Sequence, residues 1–293
     1  MAAPTPRRRL PPQACDSHMH VFGPPARYPG APARLYSPTD MPFAAYAGVA
    51  AGLGLERVVL VQPSAYGSDN RCLLDTLRAS DRPMRGVVVI DPALPDAELH
   101  AMHALGVRGV RLNLMTPRIG DAAAAERLLA PVAARIGALG WHIQIYADPG
   151  ILAPIASVLG GLGVPVVLDH MTGVRVPTTS DDPQFAVLLD LLAAGRCWMK
   201  LSGADILARR DDDFSAAAPF ARALVAANPA RLVWGTDWPH LVHFHGAAGD
   251  AAPQAGYRPV DEPGLVDLLA DVAGDDATLH RILVDNPQEL YGF

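Results

Sequence analysis

Residues 14–21 read Ala14-Cys15-Asp16-Ser17-His18-Met19-His20-Val21, a short run that opens on small or apolar residues and closes on polar ones. Seven further runs of this kind follow: Arg57–Ser64, Met84–Asp91, Val107–Leu114, His142–Asp148, Pro165–Met171, Cys197–Gly203 and Arg231–Trp238. Their β-branched and apolar residues favour strands, and each run is followed by an Ala/Leu-rich segment of helical character. Asp121–Leu139 and Phe214–Ala227, for instance, are long enough for a helical crossover and rich in good helix formers. Strand then helix, eight times, predicts an α/β fold: a closed parallel (β/α)8 TIM barrel. A doubly wound open sheet also alternates, but it usually has fewer strands, and the first run here lacks a Gly-rich phosphate turn.

Working outward, the 293 residues are half hydrophobic and 18% charged, enough apolar surface to close one large core. The expected organisation is a flexible arm over residues 1–13 and one barrel domain over 14–293. The formal net charge of −6, with both signs interspersed, argues against a surface that binds nucleic-acid backbone. Cys15, Cys72 and Cys197 are odd in number and far apart, so they form neither a disulfide framework nor a CxxC motif, which fits a reducing cytoplasm. Arg7-Arg8-Arg9 is followed by Leu10-Pro11-Pro12 rather than by a secretory apolar run, and no apolar stretch approaches the ~18 residues of a membrane span. Two Pro-rich stretches, Gly23–Met41 and Phe244–Pro263, are too long for ordinary connections and read as lids over the strand ends. Asp275–Leu290 reads as a closing helix. The sequence is compatible with a homo-oligomer.

A parallel barrel gathers the carboxyl ends of its strands at one mouth, where barrel enzymes keep their chemistry. The first run brings His18 and His20, which period two places on the same inward side. The sixth ends Asp169-His170, and the eighth ends Gly235-Thr236-Asp237-Trp238-Pro239-His240. Any one of these histidines is ordinarily a core residue bonded to backbone. Three histidines and one aspartate on regularly spaced strand ends point instead to function. In the fourth run Val110, Leu112 and Leu114 share a face that should meet the helices, which turns Arg111 and Asn113 into the mouth. A buried guanidinium there needs an anion, either a ligand or a protein carboxylate such as Asp91 or Asp148. Ser64, Tyr66, Tyr146, Lys200 and Ser202 also end strands and offer donors, although Lys200 reads equally well as the partner of a barrel aspartate.

These motifs resemble the amidohydrolase superfamily, in the branch of 2-pyrone-4,6-dicarboxylate lactonase and related sugar-lactone and muconolactone lactonases. The likeness spans almost the whole chain. It rests on Asp16–Phe22, Gln62–Asn70, Arg108–Asn113, Asp169-His170, Lys200–Gly203, Gly235–His240 and Asn286-Pro287. The resemblance implies a hydrolase of aromatic-compound catabolism that opens a small anionic lactone, a carboxylic ester hydrolase, with His18, His20, His170 and Asp237 as the catalytic set. It implies that Arg111 pairs with a substrate carboxylate and that Asn113, Tyr36, Ser64 and Tyr146 surround it. It also implies that no metal is required, since relatives with two metals place a lysine or glutamate after strand four and a histidine after strand five, where this chain has Arg111, Asn113 and Tyr146. A single zinc on His18, His20, His170 and Asp237 stays chemically open.

In lactone hydrolysis, attack of water on the carbonyl builds an oxyanion that needs positioned donors, and the histidines supply them. Asp237 would take a proton from the water and return it to the departing ring oxygen. The dicarboxylate lactonase carries an arginine about six positions after the lysine matching Lys200, and that place here is Ile206, with Arg209, Arg210 and Arg118 as candidate substitutes. The alternatives are a zinc-dependent decarboxylase or hydrolase of the same superfamily, and a non-catalytic barrel that binds small acids.

Overall fold

A computed structural model of the chain describes residues 5–115, 121–174, 179–242, 249 and 252–293. Eight strands, β1 (Cys15–Met19), β2 (Arg57–Val61), β3 (Met84–Val88), β4 (Val107–Asn113), β5 (His142–Tyr146), β6 (Val166–Leu168), β7 (Trp198–Leu201) and β8 (Leu232–Trp234), form one sheet in sequence order. All neighbouring pairs are parallel. The sheet closes on itself just past the strand ends: Met19 bridges Trp238, His20 N donates to Trp238 O at 2.8 Å, and Asp237 N donates to His18 O at 2.8 Å. The TIM barrel expected from the eight runs is thus the fold of the chain.

Helices pack around the strands. They are α1 (Phe43–Leu53), α2 (Arg71–Ala79), α3 (Asp96–Ala104), α4 (Ala122–Ile136), α5 (Pro149–Leu152), α6 (Ala156–Leu159), α7 (Pro183–Ala193), α8 (Ala204–Ala208), α9 (Ala218–Ala227), α10 (Glu262–Ala273), α11 (Asp276–His280) and α12 (Asn286–Tyr291). Their starts and buried faces follow from sequence. Asp121 caps α4 through Ala124 N at 2.6 Å, and Ala125, Leu129, Ala133 and Ile136 recur at helical spacing on its buried face. Asp182 caps α7 ahead of Pro183, a residue preorganised for the first helical position. The expected closing helix runs as α11, a π-turn over Arg281–Asp285, and α12.

Alternation along the strands sends two sets of side chains to two cores. Val58, Leu60, Ile143, Ile145, Leu168 and Met199 join the larger cluster with the helices, whereas Cys15, Val59, Val61, Val87, Val167 and Val233 fill the barrel interior with Tyr291 from α12. A buried valine of this kind contributes on the order of 2 kcal/mol. At the amino ends of the strands the terminal Phe293 ring lies under the guanidinium groups of Arg57 and Arg85, at 5.1 and 4.8 Å. That end of the cylinder is plugged, and the polar residues collect at the other.

Of the N-terminal arm, residues 5–13 are described; Arg7 pairs with Asp267 and Asp271 on α10, both at 2.9 Å, and Leu10 is buried. The two irregular stretches meet over the mouth: Ser37 N donates to Pro253 O and Ala255 N to Ser37 O, both at 2.7 Å. Residues 244–248, 250 and 251 of the second stretch lie outside the described residues. Among the described residues no helix is long and apolar enough to cross a membrane.

Candidate active site at the carboxyl ends of the strands

A cleft of about 260 Å³ opens at the mouth, lined by His20, Tyr36, Ser64, Arg111, Asn113, Tyr146, His170 and Asp237 among others. Every substrate-binding residue expected from sequence is therefore in its wall, together with three of the four expected catalytic ones. The fourth, His18, lies directly beneath and is fully buried. The convergence is on one oxygen. Asp237 Oδ1 is 3.5 Å from His18 Nε2, 3.5 Å from His20 Nε2 and 3.9 Å from His170 Nε2.

Local backbone geometry makes this possible. The register of β1 shifts between Asp16 and Met19, which lets His18 as well as Ser17 face the interior. Asp237 has φ 67° and His170 φ 50°, left-handed conformations that are uncommon for residues with a side chain and turn both groups back over the mouth. Gly235 stands where a Cβ would lie 2.6 Å from both Cβ and the backbone N of His18. Gly235→Ala should accordingly displace His18 and lower kcat/KM at least tenfold while far-UV circular dichroism stays unchanged.

Below His18, Asp16 is fully buried and ties the closure together. Its carboxylate accepts from His18 N (2.9 Å), Thr236 N (3.1 Å), Thr236 Oγ1 (2.6 Å) and the Tyr46 hydroxyl of α1 (2.6 Å). Asp16→Ala would strand these donors and is expected to cost about 3 kcal/mol or more, read from urea unfolding.

Beside it lies a second polar layer. Lys200 Nζ donates to Gln144 Oε1 at 2.7 Å and Ser17 O at 2.9 Å, and stands 3.2 Å from His18 Nδ1 and 3.4 Å from Asp169 Oδ1. Gln144 Nε2 donates to Asp169 Oδ2 at 2.9 Å, and Arg111 Nε is 3.5 Å from the same oxygen. The protein acid beside Arg111 is therefore Asp169, not Asp91 or Asp148 as the sequence suggested. Those two sit on the outside, accepting from Ala93 N and Gly150 N at loop and helix starts. Lys200 does pair with a barrel aspartate, as one of its two readings held.

Sequence reasoning quoted Asp169 but gave it no role, and it passed over Gln144. The signal for Gln144 was the alternation His142-Ile143-Gln144-Ile145-Tyr146, which puts the amide on the face that carries Tyr146. For Asp169 alternation was ambiguous, because adjacent residues of a strand point oppositely and only the turn at His170 brings both inward.

Charge is distributed unevenly. Burial lowers the pKa of His18 and of His170 below the usual imidazole range. Burial alone would raise Asp237, but the surrounding histidines, His170 foremost, outweigh it and hold the carboxyl well below its ordinary range. Asp169 is likewise held low against its burial, Lys200 being the strongest influence. Arg111 and Lys200 thus share one carboxylate. Burial raises the Tyr36 phenol to about 12, so it remains a neutral donor. Among the described residues, two groups could gather a metal ion: His18, Asp169 and His170, or His18, His20 and Asp237.

Ile206 also lines the cleft. Neither Arg209 nor Arg210 substitutes beside it, since both are exposed, and Arg118 lies outside the described residues. The guanidinium in that wall is Arg258, bonded to Asp205, Asp211 and the Leu241 carbonyl.

The sequence model of the amidohydrolase family matches residues 15–293, so the chain belongs to that family. It is 34% identical over 283 residues to a 4-sulfomuconolactone hydrolase of Hydrogenophaga intermedia, covering 97% of this chain and 90% of that one. A 2-pyrone-4,6-dicarboxylate hydrolase of Comamonas testosteroni is 35% identical over 295 residues, 98% of this chain and 92% of its own. Among solved structures, an Agrobacterium tumefaciens protein superposes with a TM-score of 0.81 at 27% identity, covering 99% of each chain. An amidohydrolase of Burkholderia multivorans solved with bound zinc shares the fold, with a TM-score of 0.70 at 20% identity over 96% of this chain and 99% of that one.

Proposed function

We propose that this protein is a hydrolase that opens a small carboxylated lactone by attack of water, with Asp237 as general base and then general acid, and that it requires no metal. The observation that carries this reading is the meeting of three imidazole nitrogens at Asp237 Oδ1, beside a guanidinium with capacity to spare. Support for the substrate class comes from the two lactone-hydrolase relatives.

The chemistry runs as follows. The substrate carboxylate docks on Arg111, whose Nη1 is bonded to Gln62 O at 3.2 Å and whose Nη2 has no bonded partner among the described residues. Tyr36, Ser64, Asn113 and Tyr146 supply hydrogen bonds around the ring. Water attacks the lactone carbonyl carbon; its proton goes to Asp237, and the carbonyl oxygen, now negative, accepts an imidazole N–H directed into the cleft, that of His18 foremost. The tetrahedral centre collapses, the ring C–O bond breaks, and Asp237 returns the proton to the leaving oxygen. A second carboxylate is the product, and its ionisation releases one proton per turnover. Because Asp237 is a weak base, taking the water's proton is uphill, and stabilisation of the oxyanion must offset much of that cost.

The test is a screen of purified protein against pyrone dicarboxylate, muconolactones and aldonolactones, read by proton release. Turnover of at least one carboxylated lactone is expected. Tight binding of the acids with no turnover of any ring would replace this reading with that of a binding barrel.

A further inference from the structure

We propose that Lys200 fixes His18 as the tautomer with its proton on Nε2, so that His18 donates a hydrogen bond into the cleft and is unavailable as a metal ligand. The inference goes beyond the lactonase reading, because a tautomer is a property of the protein alone.

An ammonium has three N–H donors and no lone pair. Lys200 is fully buried, and three atoms lie in hydrogen-bonding geometry about its Nζ: Gln144 Oε1, the Ser17 carbonyl and His18 Nδ1, at 2.7, 2.9 and 3.2 Å; Asp169 Oδ1, at 3.4 Å, is close but outside that geometry. The first two can only accept. Gln144 is held in that orientation from its other side, since its amide nitrogen donates to Asp169 Oδ2. The third donor therefore points at the imidazole, and Nδ1 must offer a lone pair. In a neutral ring the proton is then on Nε2, the nitrogen that faces Asp237 Oδ1 at 3.5 Å.

The competing arrangement would put the proton on Nδ1, donated to Asp169 Oδ1 at 3.4 Å. That oxygen makes no hydrogen bond in the structure, so the geometry favours the ammonium. His20 is set the other way. Its Nδ1 is 2.7 Å from the Val61 carbonyl, which only accepts, and the ring's proton belongs on Nδ1 with Nε2 left as a lone pair when neutral. A histidine that ligates a metal through Nε2 donates its Nδ1–H to an acceptor. His20 meets this requirement and His18 does not. Both groups of residues that could gather a metal include His18, so each is reduced to two usable ligands. Lys200 is in this sense a positioning residue: it acts through His18, and the same contact that prepares a donor for the oxyanion weakens the site for zinc.

The test uses the full chain labelled with nitrogen-15 at histidine. Long-range proton–nitrogen correlation of the wild type, with the His18 signals assigned by their loss in His18→Gln, should show a protonated Nε2 and a bare Nδ1. In Lys200→Met the ring should invert toward Asp169, and zinc affinity, measured by competition with a chromophoric chelator, should rise about tenfold or more. A wild-type ring protonated on Nδ1 would overturn the proposal without any variant being needed. So would zinc affinity that is unchanged in a folded Lys200→Met protein. Neither readout depends on turnover, so absence of lactonase activity would leave the result intact.

Discussion

Asp237→Asn should lower kcat for lactone opening about 10³-fold while changing the affinity for a non-hydrolysable carboxylate less than threefold. The substitution is nearly isosteric, and the left-handed backbone at 237, which asparagine tolerates well, keeps the side chain over the mouth. What disappears is the carboxylate oxygen that three imidazoles address. An amide cannot take the water's proton. Arg111, the proposed carboxylate anchor, is on β4, across the barrel from β8, so binding should survive. Calorimetric titration of the acid, set beside the rate of proton release, separates the two effects. An equal loss of affinity and rate would mean that Asp237 holds the site together rather than doing the chemistry.

Arg111→Met is expected to raise KM for a carboxylated lactone about 100-fold, the scale of a charge-assisted pair of hydrogen bonds worth about 2–3 kcal/mol. The folded protein should tolerate it, because Lys200 and Gln144 still face Asp169. Arg111→Lys keeps a charge but loses the planar fork and should fall between wild type and methionine. The discriminating comparison is the methyl ester of the same lactone. Its KM should hardly respond to either variant, having no anion to lose. If acid and ester suffer alike, Arg111 shapes the mouth and does not read the carboxylate.

How much of this was legible beforehand depended on range. Alternation is local, so Arg57–Val61 and His142–Tyr146 could be read as strands, and the barrel followed from repeating the reading. The barrel in turn implied that His18, His20, His170 and Asp237 meet, although they span most of the chain. Partners were harder. Arg111 was matched to Asp91 or Asp148 because both end strands, but both begin loops or helices on the outside, and the closer acid was hidden beside His170, where φ is positive. Arg258 could not be foreseen in the wall beside Ile206: it is held by Asp205 and Asp211, about fifty positions earlier, and no local pattern links them. The Lys200 contact with His18 depends on acceptors from β1 and β5 meeting a lysine on β7, which spacing does not encode.

The central claim is that imidazoles and one carboxylate open a lactone without help from a metal. The most direct measurement is the steady-state rate of proton release by chelator-stripped protein, with metal content verified by mass spectrometry, before and after addition of one equivalent of zinc. The expected result is full turnover of a carboxylated lactone in the stripped protein and no gain, or a loss, with zinc. An inactive stripped protein whose turnover returns in proportion to zinc bound would contradict it.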